Sequence, residues 1–104
     1  MSHVLITDLL NEVAIQPDGV VSKLVQRGDG MTVTVFGFDA GEGLTEHRAA
    51  RAAVVQVLFG RLRFTADGEE VDLVPGSWLQ MTPGTPHSLV APEPTVMLLT
   101  LVGS

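Results

Sequence analysis

Residues 46–60 read EHRAARAAVVQVLFG, in which one histidine and two arginines precede a run of apolar residues. A working site needs several converging polar side chains, yet alanine occupies positions Ala49 and Ala53 shortly after His47. The apolar part, AAVVQVLFG, is rich in β-branched residues and too short for a confident helix. The stretch therefore predicts a strand that carries one candidate ligand, His47, without the partners of a complete site.

Short strands separated by turns continue on both sides of this stretch. Residues 31–38, MTVTVFGF, alternate with the period of a half-buried strand, and residues 61–74 contain two strands joined through Asp67-Gly68, a strong hairpin motif. The remaining apolar runs bring the total to seven or eight strands, which favours an all-β sandwich or barrel. One helix is predicted over residues 7–14, TDLLNEVA, with Thr7 or Asp8 as its cap.

The composition limits the class of protein. The chain has 104 residues, which is one domain, and it has no cysteine, which excludes thiolate zinc sites, thiol nucleophiles and disulfides. The net charge is −6 and the arginines are scattered, so nucleic acid is not an expected partner. No basic leader precedes an apolar segment, and no apolar run approaches the ~20 residues that span a bilayer. We expect a soluble cytoplasmic protein with no membrane partner.

Two histidine-containing segments share an ordered pattern of glycines. In the first, five residues separate Gly41 from His47, and Gly60 closes the segment. In the second, Gly76 and Gly84 precede His87 within the phrase GSWLQMTPGTPHSL. This order resembles the two motifs of the cupin family, whose members are small jelly-roll barrels of the double-stranded β-helix type. The resemblance implies a single cupin domain over residues 1–104, with an N-terminal arm at 1–19 and the barrel at 20–104.

In metal-binding cupins, three histidines and one glutamate hold a divalent metal inside the barrel, and here only two of those ligands are kept. The resemblance assigns His47 and His87 as metal ligands, whereas Ala49 replaces the second histidine and Ala53 replaces the glutamate. Thr82 and Ala91 also replace the proline and asparagine of the second motif. The resemblance thus implies a divalent transition metal (Fe, Mn, Ni or Zn) with an incomplete ligand set. The nearest carboxylates are Glu42 and Glu46, and strand alternation points Glu46 away from His47.

The two alanines leave interior volume that neighbours, water or a ligand must refill. The residues expected to line such a pocket are Ala49, Arg51, Ala53, Phe36, Met81 and Trp78. Strict alternation would place Arg51 on the face of His47, where its guanidinium would bind a small anionic ligand. A bend in the chain would instead turn Arg48 or Arg51 to solvent. A collapsed core without any pocket is the competing interpretation.

Three functional hypotheses follow. The first is a small cupin that binds a small molecule, a divalent metal or both in the barrel interior. The second is a metal-dependent oxidoreductase, dioxygenase-like, or an isomerase that uses His47 and His87. The third is a ligand-free dimeric sensory or structural module, so the sequence leaves open whether the protein is an enzyme. Runs such as VVQVLF and VMLLTLV are apolar on both faces, which requires a second covering layer and predicts a homodimer.

Overall fold

The computed structural model describes residues 2–103, so the first residue of the predicted arm and the last residue of the predicted barrel lie outside the described part. Within this part of the chain, one short 3₁₀ helix precedes nine strands. The elements are the 3₁₀ helix Leu9–Glu12, then β1 Val20–Gly28, β2 Met31–Phe38, β3 Gly43–His47, β4 Ala52–Phe59, β5 Leu62–Ala66, β6 Glu69–Leu73, β7 Trp78–Met81, β8 His87–Val90 and β9 Thr95–Val102.

The strands form two antiparallel sheets. The five-stranded sheet has the order β1-β2-β9-β4-β7, and the four-stranded sheet has the order β3-β8-β5-β6. Strands that are neighbours in a sheet are mostly distant in sequence, as in a jelly roll, where the chain crosses repeatedly between sheets. The predicted all-β jelly-roll barrel is therefore confirmed.

The core lies between the two sheets and follows the alternation of the strands. On β4, Ala53, Val55 and Val57 are buried, whereas Val54 and Gln56 on the opposite face are only partly covered. The residues that share the buried cluster come from both sheets: Phe38, Ala53, Val55, Val57, Leu62, Phe64, Leu73, Met81, Leu89, Ala91 and Met97. The apolar residues that alternate along the strands thus pack together into one hydrophobic core.

The stretch 46–60 is not one continuous strand. β3 ends at His47 and β4 begins at Ala52, and the residues between them carry the chain from the four-stranded sheet to the five-stranded sheet. The expectation that positions 47, 49, 51 and 53 share one face is therefore wrong, because alternation holds only within an unbroken strand. This break also accounts for one more strand than the sequence predicted.

The helix predicted over residues 7–14 is shorter than expected and of another kind. It is a 3₁₀ helix of four residues, Leu9–Glu12, and Asp8 precedes it without a side-chain capping bond. The carboxylate of Asp8 instead accepts a hydrogen bond from the side chain of Asn11 at 2.7 Å. Within residues 2–103, no helix is both long enough and apolar enough to cross a membrane.

The N-terminal arm covers part of the outer face of the five-stranded sheet. A Cβ atom added to Gly37 on β2 would lie 3.1–3.3 Å from side-chain atoms of Val13, Ile15 and Val21. Val35, which points to the same face of β2 as Gly37, is fully buried. The covering layer that the two-sided apolar strands require is thus supplied in part by the chain itself. The homodimer stays a prediction.

Asp39 joins the end of β2 to the turn before β1. Its carboxylate accepts hydrogen bonds from the backbone N–H groups of Asp18 at 2.8 Å and Ala40 at 2.9 Å. The hydrogen bond from Asp18, followed by that from Ala40, lowers the pKa of Asp39 below its ordinary value. The carboxylate therefore stabilises the fold at neutral pH, and this stabilisation is lost as the pH falls below about 4 and through the folded-state pKa.

We expect Asp39→Asn to lower the melting temperature at pH 7, because the neutral amide has one oxygen with which to accept the two N–H groups. The deficit should shrink as the pH is lowered from about 5 toward 2, because the wild-type carboxylate is then protonated as well. Thermal unfolding of both proteins over this pH range measures the effect. A deficit of the same size at both ends of the range would contradict the assignment.

Candidate functional site

The pairing of β3 with β8 brings the two predicted ligands together. His47 lies opposite His87 in the strand register, and the ring centroids are 4.1 Å apart with the planes inclined at 62°. At the other end of the pair, Gly43 lies opposite Val90. The structure therefore places both motif histidines in one pair, although they are far apart in sequence.

At Gly43 the backbone of β8 leaves no room for a side chain on β3. A Cβ atom added there would collide with the carbonyl of Leu89 and would lie 2.9 Å from Cα of Val90. Both obstacles are backbone atoms of a paired strand, which cannot turn aside as a flexible side chain can. Glycine at this position thus sets the distance between the strands that carry the histidines.

Gly43→Ala is expected to destabilise the fold by about 1–3 kcal/mol, the usual cost of overpacking. The extra methyl group must push β3 away from β8, which should also separate the rings of His47 and His87. Urea unfolding measures the stability, and the cross-relaxation between the two imidazoles in NMR spectra measures their separation. The control is Gly19→Ala, where φ is not positive and the added atom would make only ordinary contacts of 3.7–3.8 Å. Loss of stability with the ring contact unchanged would contradict the role given to Gly43.

Each imidazole is fixed by a hydrogen bond to a backbone carbonyl two residues earlier. Nδ1 of His47 lies 2.8 Å from the carbonyl oxygen of Thr45, and Nδ1 of His87 lies 2.9 Å from that of Thr85. A carbonyl oxygen only accepts, so Nδ1 donates in both rings, and Nε2 of the neutral ring keeps a free lone pair. The pattern Thr-x-His, which occurs at both histidines, is the feature of the sequence that could have predicted these bonds.

The two imidazoles differ in exposure. His87 is 7% exposed and its ring stacks on that of Phe64, with centroids 5.8 Å apart and an interplanar angle of 7°. His47 is exposed to solvent. The pair thus lies at the boundary of the core, with His87 on its buried side and His47 at the surface.

Ala53, which replaces the glutamate of the motif, lies within the core. It is 1% exposed and pairs with Met81 on β7, which is also buried. Both residues belong to the cluster of buried side chains between the sheets. Methionine adapts to irregular gaps, so Met81 supplies apolar volume next to the position that lost its carboxylate.

Ala49, which replaces the second histidine, lies in the loop between β3 and β4. Its carbonyl accepts a hydrogen bond from the N–H of Gly84 at 2.8 Å, and Nη1 of Arg48 donates to the carbonyl of Gly84 at 3.0 Å. Gly84 belongs to the second motif, shortly before His87. The loop after one histidine is thereby tied to the loop before the other.

Arg51 is partly buried and is hydrogen-bonded to the five-stranded sheet. Its Nη1 donates to Oγ1 of Thr32 and its Nη2 donates to the carbonyl of Leu101, both at 3.2 Å. These partners lie on β2 and β9, and neither histidine is among its hydrogen-bond partners within the described residues. The prediction that Arg51 faces the same ligand as His47 through strand alternation therefore loses its basis.

Two aromatic residues were expected to line the interior, and the structure separates them. Phe36 packs against the core, and its ring stacks with that of Phe38 at a centroid distance of 6.0 Å. Trp78 is 60% exposed and lies outside the interior. Trp78 and Met81 are three positions apart on β7, so they point to opposite faces of the strand, and only Met81 faces inward.

The chain shares its sequence pattern with a known family. Residues 34–103 match the family model of the cupin domain. This protein is a cupin. The chain matches none of the curated proteins with which it was compared.

Several solved structures are similar to this cupin. A conserved Streptococcus pyogenes protein of unknown function, SPY1581, is 32% identical over 100% of this chain and 91% of its own, with a TM-score of 0.86. An RmlC-like cupin from Desulfovibrio desulfuricans is 26% identical over 96% of this chain and 97% of its own, with a TM-score of 0.84. The DMSP lyase DddQ from Ruegeria pomeroyi is 19% identical over 82% of this chain and 47% of its own, with a TM-score of 0.75, and it shares the fold alone.

The side chains of this cupin do not make up the metal site that its family implies. Within residues 2–103, no group of three or more His, Cys, Asp or Glu side chains is arranged to hold a metal ion. The nearest carboxylates in sequence, Glu42 and Glu46, do not complete such a group with the two imidazoles. A tightly held transition metal needs more ligands than two imidazoles provide, so these residues do not fit a resident metal.

Proposed function

We propose that this cupin binds a small molecule at the end of the barrel where His47 and His87 meet, without a resident metal. The observation that supports this proposal most directly is the tethering of both rings through Nδ1 to backbone carbonyls, at 2.8 and 2.9 Å. Each neutral ring is held in one tautomer and orientation, and Nε2 remains an acceptor. Two fixed acceptors with rings 4.1 Å apart are a recognition element for a ligand that donates hydrogen bonds.

The surroundings of the pair define the class of ligand. Phe64 packs against the buried side of the His87 ring, whereas His47 is exposed to solvent. The expected ligand is a small molecule with hydroxyl or amide N–H donors that approaches the pair from the solvent side of His47.

Nitrogen NMR of the histidine rings tests the proposal. We would titrate the protein with a panel of monosaccharides, hydroxy acids and small amides, and follow the Nε2 resonances of His47 and His87. Ligand binding should shift both resonances and leave His3, an exposed histidine in the arm, unchanged as an internal control. Binding should be lost in His87→Ala. A ligand that binds with equal affinity to this variant would contradict the proposed location.

Elemental analysis of the purified protein separates this proposal from the metal-dependent alternative. We expect a transition-metal content far below one equivalent per chain, with no tight uptake of added Zn²⁺ or Fe²⁺. One equivalent of metal that disappears in the His47→Ala, His87→Ala double variant would contradict the proposal. It would favour instead the oxidoreductase or isomerase hypothesis. If the protein binds neither a metal nor any ligand of the panel, the structural or sensory module is favoured.

We also propose that the protein forms a homodimer. Several large apolar side chains remain exposed in the single chain, among them Leu5 at 75%, Trp78 at 60% and Phe59 at 49%. Exposed apolar surface of this kind is often covered by a partner subunit. Sedimentation velocity should give twice the mass of the 11.0 kDa chain. A monomer over the whole accessible concentration range would contradict the proposal.

A further inference from the structure

We propose that the barrel carries an oxyanion-binding site between Arg27 and Arg51, which takes the carboxylate or phosphate group of a small molecule. This site is separate from the histidine pair, and its test does not depend on the function proposed above. The site is centred on Thr32 of β2, which lies between the two arginines.

The strand register places the first arginine next to Thr32. Arg27 of β1 is the cross-strand partner of Thr32, and Thr32 is in turn the partner of Leu101 on β9. Side chains of directly opposed residues point to the same face, with Cβ atoms about 4.5–5.5 Å apart. Leu101 packs against the core, so the side chains of Arg27, Thr32 and Leu101 lie on the inner face of the five-stranded sheet.

The second arginine reaches Thr32 from the other side. Arg51 comes from the loop before β4, and its guanidinium donates to Oγ1 of Thr32 and to the carbonyl of Leu101. These bonds use two of its five N–H donors, and the buried Nε has no hydrogen-bond partner in the described residues. The guanidinium is thus anchored in a fixed orientation, and one N–H on each Nη atom is not used by these two bonds.

The two arginines border one open depression of about 510 Å³. Gly28, Gly30 and Gly103 also line it, and a Cβ atom added to Gly30 or Gly103 would meet nothing within 4 Å. These two glycines therefore leave part of the lining as bare backbone with free space above it, and Met31 and Leu101 add apolar lining. The volume lies within the range of ligand sites for small molecules.

The charge of the depression is opposite to that of the whole chain. The chain has twelve acidic against six basic residues, yet among residues 2–103 the two charged side chains in the lining are both arginines. Asp29, which lies between two of the lining glycines in sequence, lines the neighbouring groove instead. Two guanidinium groups on either side of one threonine repel each other, and an anion between them removes this repulsion. Arginine also matches carboxylate and phosphate oxygens with its planar fork of donors.

Titration with inorganic phosphate and with acetate, followed by NMR of the backbone amides and the arginine Nε–H groups, tests the site. We expect saturable shifts at Gly28, Gly30, Gly103 and Arg51 Nε, with a dissociation constant on the order of millimolar. Tighter binding of phosphate would indicate that the site prefers tetrahedral anions, and tighter binding of acetate would indicate that it prefers planar carboxylates. Saturable binding of either anion at these positions supports the site.

Arg27→Ala is the decisive variant, because Arg27 is exposed and its loss should leave the fold intact. The dissociation constant should rise roughly tenfold or more, as expected for the loss of one charged hydrogen-bonding partner. The matched control is Arg63→Ala, an exposed arginine on β5 outside the depression, which should bind as the wild type does. Absence of saturable shifts up to about 50 mM anion would overturn the proposal. An unchanged affinity in Arg27→Ala would do so as well.

Discussion

Gly60→Ala is expected to destabilise this cupin by about 4 kcal/mol, a large part of the ~5–15 kcal/mol that holds a domain of this size together. Gly60 follows β4 with φ = +86°, a left-handed conformation that costs an alanine about 1–2 kcal/mol. An added Cβ would also collide with the carbonyl of Pro94, and it would lie 2.5 Å from Oγ1 and 2.8 Å from Cα of Thr95. Overpacking of this kind adds about 1–3 kcal/mol.

Thr95 cannot move aside to relieve this collision. It is fully buried, and its Oγ1 accepts a hydrogen bond from the N–H of Arg61 at 3.1 Å and lies 2.9 Å from the carbonyl oxygen of Arg61. These contacts hold the start of β9 against the turn between β4 and β5. The added methyl group must therefore break them or displace the backbone.

Gly68→Ala separates the two contributions to this loss of stability. Gly68 has a similar φ of +79°, but nothing lies within 4 Å of an added Cβ. This control should lose only about 1–2 kcal/mol, the cost of the left-handed conformation. Guanidinium unfolding of both variants measures the difference. If Gly60→Ala is no less stable than Gly68→Ala, the collision with Thr95 is not what makes glycine necessary.

The fold was predictable because the turns that shape it need particular residues, chiefly glycine, at particular positions. The four glycines of the two motifs, Gly41, Gly60, Gly76 and Gly84, all have φ between +82° and +97°, so their spacing marks the turns of the barrel. The hairpin at Asp67-Gly68 formed as predicted, with two turn residues of positive φ between the paired Ala66 and Glu69. Turns of this kind depend on neighbouring residues only.

The candidate site was less predictable because it depends on contacts between distant segments. The sequence left a bend after His47 as an alternative only, because residues 48–51 contain neither the glycine nor the proline that usually marks such a break. Arg51 is fixed by the carbonyl of Leu101, 50 residues away, and the sequence contains no sign of that bond. The pairing of Arg27 with Thr32 likewise depends on a bulge in β1 between Leu24 and Gln26, which shifts the register of β1 against β2 by one residue.

Phe64→Ala is expected to destabilise the protein by about 3–5 kcal/mol, the usual cost of removing a fully buried phenylalanine side chain. Phe64 of β5 is 0% exposed and belongs to the cluster between the sheets. Its ring also stacks on the ring of His87, so the substitution removes the contact on the buried side of that imidazole. Urea unfolding measures the loss, and Phe59→Ala, at a side chain that is 49% exposed, should lose much less.

Phe64→Leu distinguishes support of the histidine from general packing. Leucine keeps most of the apolar volume, so the cost should stay below about 1.5 kcal/mol and the variant should fold. It has no ring, however, and the chemical shifts of the His87 imidazole should change because the stacked neighbour is gone. If the His87 resonances stay unchanged, the stacking does not position the ring. If they change while the Nδ1 proton remains bound to the carbonyl of Thr85, the backbone hydrogen bond orients the imidazole and Phe64 shields it from water, which is the division of roles that the proposed ligand site requires.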